Sequence, residues 1–427
     1  MPSPRRDLPS LTRCMAFLVL AGGFLATAPV FAASQSQVLH RFRGADGQFP
    51  YYGSLALDSA GNLYGTTYDG GDVTGCGYGC GTVFKLTRHN DKWTYAVLHE
   101  FQNDGQDGYN PLGALAIDQA GNVFGTTPAG GLHNSGTVFM LAPNPDGTYT
   151  ETVIYSFCSV NDCLDGAWPE AGVTIDAKGN LYGTAFWDGN DFGGVVFKLA
   201  RDENWRYRVI YSLAGAYNGH SYASVTFDNA GNLYGTTNGG SCFSGGTVFK
   251  LSARKHNEWY YTLLYEFSQD GHDGACPFSA VTLDPQGNLY GTTVYGGGYS
   301  AGVVYELIPR KDGLWKEIVL HSFNFNDGAE PYAGLVRDAS GNLYGTLTAG
   351  GKNGLGSVFK LTPTRNSARP ESATEEILLN FSGKNGIFPY SGLVFDANGN
   401  MYGTTYYGGN LSDCNYQGCG VVFKLTP

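Results

Sequence analysis

The chain has 427 residues, a formal net charge of -11 and only 15% charged residues, against roughly 25% in an ordinary globular protein. No run rich in Lys or Arg occurs beyond the extreme N-terminus, which argues against nucleic acid and against an anionic membrane surface as partners. Gly numbers 63 and Tyr and Phe 29 and 25, a turn-and-strand composition, and 42% hydrophobic residues is too much for disorder.

The first expected element is a cleaved leader. Arg5, Arg6 and Arg13 flank the start of an apolar run over 15–27, and Val30 and Ala32 present small residues to a signal peptidase. A signal peptide over 1–32 is therefore expected, with 33–427 as one mature domain. The apolar run is shorter than the ~20 residues of a spanning helix. No membrane anchor is expected after cleavage, and the product should be secreted or periplasmic.

The next segment, "SQVLHRF" at 36–42, reads as a lone strand. After it a unit recurs. Asp-x-x-Gly-Asn appears with its Gly at 61, 121, 179, 231, 287, 341 and 399, so the spacing runs from 52 to 60 residues. Each copy continues with an apolar residue, then Tyr or Phe, then Gly-Thr. A "GTVFKL"-like segment follows, then an aromatic-rich one such as "YAVLHEF", then a "DG" connection. Each unit predicts four short strands, in unit 1 "GSLALD", "NLYGTTY", "GTVFKLT" and "WTYAVLHEF". Apolar residues alternate at period two, and no segment carries a helical period.

Four antiparallel strands repeated at this interval predict an all-β, seven-bladed β-propeller. The blades fall at about 44–102, 103–158, 159–213, 214–268, 269–324, 325–382 and 383–427. The last unit ends on its third strand, "GVVFKLTP". Residues 37–42 should complete it, with Val38–Phe42 beside Val421–Leu425, which removes the open sheet edges.

Strand order also assigns faces. The Asp-x-x-Gly-Asn turns lie on one face. The second-to-third loops and the blade connections lie on the other, which varies more between units. Cys76, Cys80, Cys158, Cys163, Cys242, Cys276, Cys414 and Cys419 all map to the variable face. An even number in an exported chain predicts the disulfides 76–80, 158–163, 242–276 and 414–419.

The run "D-x-x-G-N-L-Y-G-T-T … G-G … G-T-V-F-K-L" resembles the tandem-repeat GloVer family, and it does so across 36–427. The resemblance implies an exported repeat protein and supplies no catalytic residues.

Chemistry is sparser. One Asp per turn is too few for calcium, so Asp58 and its six counterparts read as turn residues. Acids of the "DG" connections, such as Asp104 and Asp107, read the same way. His40, His99 and His321 share one outer-strand position, and His133, His220 and His272 read as solvated loop residues. No nucleophile elbow, metalloprotease helix or phosphate loop is present. No cofactor and no metal is expected.

Aromatic and acidic residues on the variable face are the functional lead: Tyr51, Asp69, Trp168, Glu170, Trp187, Asp188, Tyr222, Tyr295, Glu330, Tyr332, Tyr390 and Tyr407. Rings beside carboxylates suit stacking on sugars and bonding their hydroxyls, and they suit peptide or protein recognition too. The expectation is a monomeric binding scaffold for an extracellular glycan, peptide or protein. The alternative is a propeller lyase or hydrolase acting on an extracellular polysaccharide.

Overall fold

A computed structural model describes residues 35–426, apart from 91, 216–218, 241, 243–244, 256–257, 269–271 and 367–368. The leader expected over 1–32 lies outside the described residues. Seven four-stranded antiparallel sheets follow one another along the chain, and no α-helix occurs among the described residues.

Blade 1 shows the unit. Its strands are Ala56–Leu57, Leu63–Thr67, Thr82–His89 and Lys92–Glu100, from the innermost outward. The innermost strand is much shorter than its apolar pattern predicts. Only Ala56 and Leu57 pair with the second strand. Residues before them leave the ladder to approach the next blade, where a Cβ on Gly53 would fall 2.6 Å from the Gly113 carbonyl oxygen.

The ring closes as expected. Strand Gln35–Arg41 pairs antiparallel with Val421–Thr426, with Val38 opposite Phe423 and Arg41 opposite Val421. The N–H of Phe42 donates to the Gly420 carbonyl at 3.1 Å. Phe42 is fully buried with Leu55, Phe84, Leu86, Tyr402 and Val422, so the closing strand also supplies core between blades 7 and 1. Six other clusters fill the remaining interblade layers, each with a third-strand Phe or Tyr.

The repeated residues have structural duties. Oδ1 of Asp58 accepts the N–H groups of Ala60 and Asn62 at 3.0 and 2.8 Å. Oδ2 accepts the Asn62 amide at 2.8 Å and the Tyr64 hydroxyl at 3.1 Å. Burial alone would raise this carboxyl, but those hydrogen bonds, led by Asn62, outweigh it and hold the group below the usual carboxylate range. Asp228, Asp338 and Asp396 behave alike. Gly61 takes φ +81°, the left-handed conformation the turn needs. The Gly of Tyr-Gly-Thr serves packing instead. A Cβ on Gly65 would lie 2.5 Å from the Phe84 ring, which crosses it from the third strand.

Four disulfides join Cys76–Cys80, Cys158–Cys163, Cys242–Cys276 and Cys414–Cys419, as the spacing predicts. The variable-face loops are also tied by backbone pairing. In most blades the incoming connection pairs with that blade's second-to-third loop, through Gln48 and Asp69 in blade 1, Tyr109 and Ala129 in blade 2, and Ala167 and Trp187 in blade 3.

Candidate functional site

The connection into each blade contains a non-Gly residue with positive φ: Phe49, Asn110, Trp168, His220, Cys276, Glu330 and Phe388, all between 54 and 65°. Six of them precede proline, which makes this conformation still less favourable. Each costs on the order of 1 kcal/mol or more and persists only where surroundings fix it. Backbone bonds do so. The Trp168 N–H donates to Ser135 of blade 2, and its carbonyl accepts from Phe186 of its own blade. Asn110 lacks the second bond, because the corresponding donor position is Pro128, which has no N–H. These positions carry seven different neighbourhoods on a common backbone. Trp168 and Glu330 from the expected set are among them.

Just beyond each left-handed residue, one side chain points to the channel mouth. Tyr222, Phe278, Tyr332 and Tyr390 form a chain of ring contacts with centroids 4.5 to 5.2 Å apart. Tyr51 continues it, 4.9 Å from Tyr390. Tyr52 lies across the middle, stacked on Tyr51 at 3.9 Å and within 6.4 Å of Tyr222, Phe278, Tyr332 and Tyr390. Its hydroxyl donates to that of Tyr51 at 3.1 Å, and burial pushes it well above the ordinary phenol range. Beneath it is a channel cavity of about 410 Å³ lined by small residues such as Ser54, Ala114, Gly172, Ser224 and Gly334. The rosette of rings caps this channel on the variable face.

Tyr52 is absent from the expected set, although the sequence carries its signal. Four residues separate Pro50 from Leu55, and three separate Pro389 from Leu393. The insertion belongs to blade 1 and supplies the capping ring.

Aromatic contact continues from the rosette into blade 3. Phe186 lies 4.6 Å from Tyr222, Trp187 stacks on His220 at 4.7 Å, and Trp168 stacks on Trp187 at 6.1 Å. His220 corrects the sequence expectation of a solvated residue. It is 3% exposed, with Nδ1 2.9 Å from the Phe186 carbonyl, because two aromatic neighbours cover it. On blades 5 to 7, Tyr295, Glu330 and Tyr407 border Tyr332 and Tyr390. Asp188 stands apart, beside Asp165, and burial raises its carboxyl.

The aromatic path breaks at blade 2. Leu112, Pro128 and Ala129 stand at positions that carry rings in several other blades, and they floor a crevice of about 400 Å³. Tyr68, Tyr109, Asn110, Trp168 and Glu170 line it. The Tyr109 hydroxyl donates to Oδ1 of Asn134 at 2.9 Å, which fixes the ring. Asn110 donates its amide to Oδ1 of Asp69 at 2.9 Å and to the Tyr68 carbonyl at 2.7 Å. Glu170 lines both this crevice and the channel.

Both carboxyls are displaced. Burial pushes Glu170 up to about 7. Burial also pushes Asp69 up to about 6, against the lowering effect of the Asn110 hydrogen bond. Asp69 and Glu170 both act on the Tyr68 hydroxyl, which burial raises first. The structure thus brings Trp168 and Glu170 together at the crevice, with Asp69 behind it on Asn110. It gathers Tyr51, Tyr222, Tyr332 and Tyr390 separately at the rosette. Sequence reasoning missed Tyr109 and Asn110, whose position just before Pro111 was the available signal.

A second titratable cluster lies away from this face. His321, Asp327 and Glu375 bring one ligand atom each within 4.8 Å of one another. It joins the outermost strand of blade 5 to that of blade 6. A related pair, His99 Nε2 to Asp107 Oδ2 at 2.9 Å, sits beside Glu151 between blades 1 and 2, and His40 pairs with Asp46 at 3.1 Å. The recurrence marks an interblade stitch and explains the shared His position.

The sequence matches the family described as Gloeobacter/Verrucomicrobia repeat over residues 25–164, 78–305 and 256–427. The chain belongs to that family. No curated protein matches it. Among solved structures, an ancestral GH74 enzyme superposes with a TM-score of 0.57 at 10% identity, over 89% of this chain and 48% of that one. This chain therefore spans about half of that enzyme's length. A protein of unknown function from Dyadobacter fermentans gives 0.48 at 12% identity over 92% and 99% of the two chains. A luciferin-regenerating enzyme gives 0.43 at 13% identity over 92% and 96%. At such identities the likeness concerns the fold alone.

Proposed function

We propose that this member of the repeat family is an exported binding protein that holds an extracellular glycan across its variable face. One observation carries the reading. Among the large apolar side chains exposed in the described residues, only Val209, Tyr260, Leu263 and Leu314 lie elsewhere. The others, including Val73, Tyr78, Trp168, Trp187, Tyr299 and Tyr416, are on the loops of the variable face. Concentration of exposed apolar surface on one face marks an interaction surface. Rings next to raised carboxyls give stacking planes for sugars and acceptors for their hydroxyls. Four disulfides suit an oxidising compartment such as the periplasm or the exterior. The closed ring needs no partner strand, which fits a monomer.

A glycan array on the mature protein tests the proposal. Binding to at least one polysaccharide, weakened by Trp168→Ala, is expected. Absence of any glycan binding, with retention of a peptide or protein ligand, would move the surface to protein recognition.

A second reading, a polysaccharide-cleaving enzyme, draws on one observation. Glu170 lines the crevice with a carboxyl raised by burial, the condition of a general acid near neutrality. Release of new reducing ends from a bound glycan, abolished by Glu170→Gln, would establish it.

A further inference from the structure

Glu170 is an uncommon carboxyl. It makes no hydrogen bond and no ion pair with any described residue, yet it stands half-buried at the junction of two cavities. Its electrostatic neighbours are the phenols of Tyr68 and Tyr222. A buried carboxylate without a charge partner is unfavourable. The faces of aromatic rings carry partial negative charge and do not relieve it. Asp69, on blade 1, is a second acid set behind the crevice wall, where its Oδ1 accepts the Asn110 amide. No Lys or Arg lines the crevice. Tyr68, Tyr109 and Trp168 present rings into the same space, and Trp168 is 46% exposed. Negative ring faces and an acid without a charge partner around a recess favour one kind of occupant, an organic cation. The charge of -11 over the chain acts in the same direction at longer range.

We propose that the crevice over blade 2 is a subsite for a positively charged amino group on the bound glycan, as carried by a deacetylated hexosamine unit. Glu170 pairs with the ammonium, and Trp168 and Tyr109 stack against the sugar ring. The inference rests on the glycan-binding reading of this face and names the sugar class it selects.

The test is calorimetric titration of the mature protein with a glucosamine hexamer and with its fully N-acetylated counterpart. These share a ring and differ in charge. The free-amine hexamer should bind about tenfold more tightly, the scale of one desolvated cation–ring or charge contact. Glu170→Gln keeps the side-chain shape and should abolish that preference, bringing the free-amine hexamer to the affinity of the N-acetylated one. An N-trimethylated hexamer, whose charge does not titrate, should bind more tightly as pH rises from 5 to 8, as Asp69 and Glu170 ionise. His133, beside Asn134, and His220, behind Trp187, are the nearby imidazoles, and Tyr68 and Tyr222, raised by burial, stay neutral throughout. The Glu170→Gln profile isolates the carboxyl, because only its part should disappear.

Equal binding of free and N-acetylated hexamers overturns the inference and leaves the glycan reading standing. Tighter binding of a lysine-rich peptide than of the glucosamine hexamer, lost in Glu170→Gln, also overturns it and assigns the cation to protein. Failure of every glycan on the array overturns the glycan reading itself, a different result from either.

Discussion

The two faces of this propeller share strands and differ in how they spend their polar groups. On the turn face, seven Asp side chains accept hydrogen bonds from the same neighbours, and Asp58 has both oxygens engaged. On the variable face, left-handed residues, raised acids and exposed rings sit on one repeated backbone. Satisfied and identical groups build the ring, and the proposed ligand would use the dissimilar ones.

Deleting the closing strand is the strongest challenge on the architectural side. Loss of 35–42 removes the ladder beside Val421–Thr426 and the buried Phe42 ring. Burial of one such ring accounts for about 3–5 kcal/mol, so the melting temperature should drop by at least ~5 °C. Scanning calorimetry decides this, and an unchanged transition contradicts the closure energetics. Next in size is Gly65→Ala. Its Cβ would meet Phe84 and Leu55 at 2.5 and 2.8 Å, and overpacking of this kind costs about 1–3 kcal/mol. A variant as stable as the parent would show that the blade yields there.

The interblade stitches sharpen the contrast through pH. Burial first, then nearby Asp107 and Asp327, push Glu151 and Glu375 up to about 7. The Oε1 atom of each is buried without a hydrogen-bond partner. His99 and Asp104 beside Glu151, and His321 beside Glu375, are further titratable groups against them. A carboxyl raised in the folded state binds more protons there than when unfolded. Stability is therefore lost as pH rises from about 4.5 to about 7. The double variant Glu151→Gln, Glu375→Gln should melt a few degrees above the parent at pH 8 and lose most of that lead at pH 5. An advantage independent of pH would assign the effect to packing. The turn carboxyls of Asp58, Asp228, Asp338 and Asp396 work the other way. Held low, they support the fold above their ordinary range and cease to do so as pH falls below about 4.

The ring was largely legible in the chain. Asp-x-x-Gly-Asn repeats seven times because each blade solves the same turn, and the stray strands at the two ends announce the closure. Cysteine spacing gave the four bridges, since the pairs sit in one loop or in adjoining ones. The site was legible only in parts. Trp168, Glu170 and Asp69 stand out as departures from the repeat, and the structure places the first two at one crevice and the third behind it. Tyr52 hides in a one-residue insertion that matters only once seven blades point their side chains at a common axis. The crevice is defined by missing rings at Leu112, Pro128 and Ala129, a feature that emerges only when the seven copies are superposed. His220 was misjudged because its burial comes from Phe186 and Trp187, more than thirty residues away in the chain.

The central claim is that function resides where the blades disagree. It is tested most directly by measuring binding of one array-selected glycan to the parent, to Trp168→Ala and to Lys178→Ala, a substitution in an exposed turn on the opposite face. The account expects Trp168→Ala to lose about tenfold or more in affinity, equivalent to about 1.4 kcal/mol, with an unchanged melting temperature and with Lys178→Ala indistinguishable from the parent. Equal affinity in all three proteins, or a loss confined to Lys178→Ala, would contradict it.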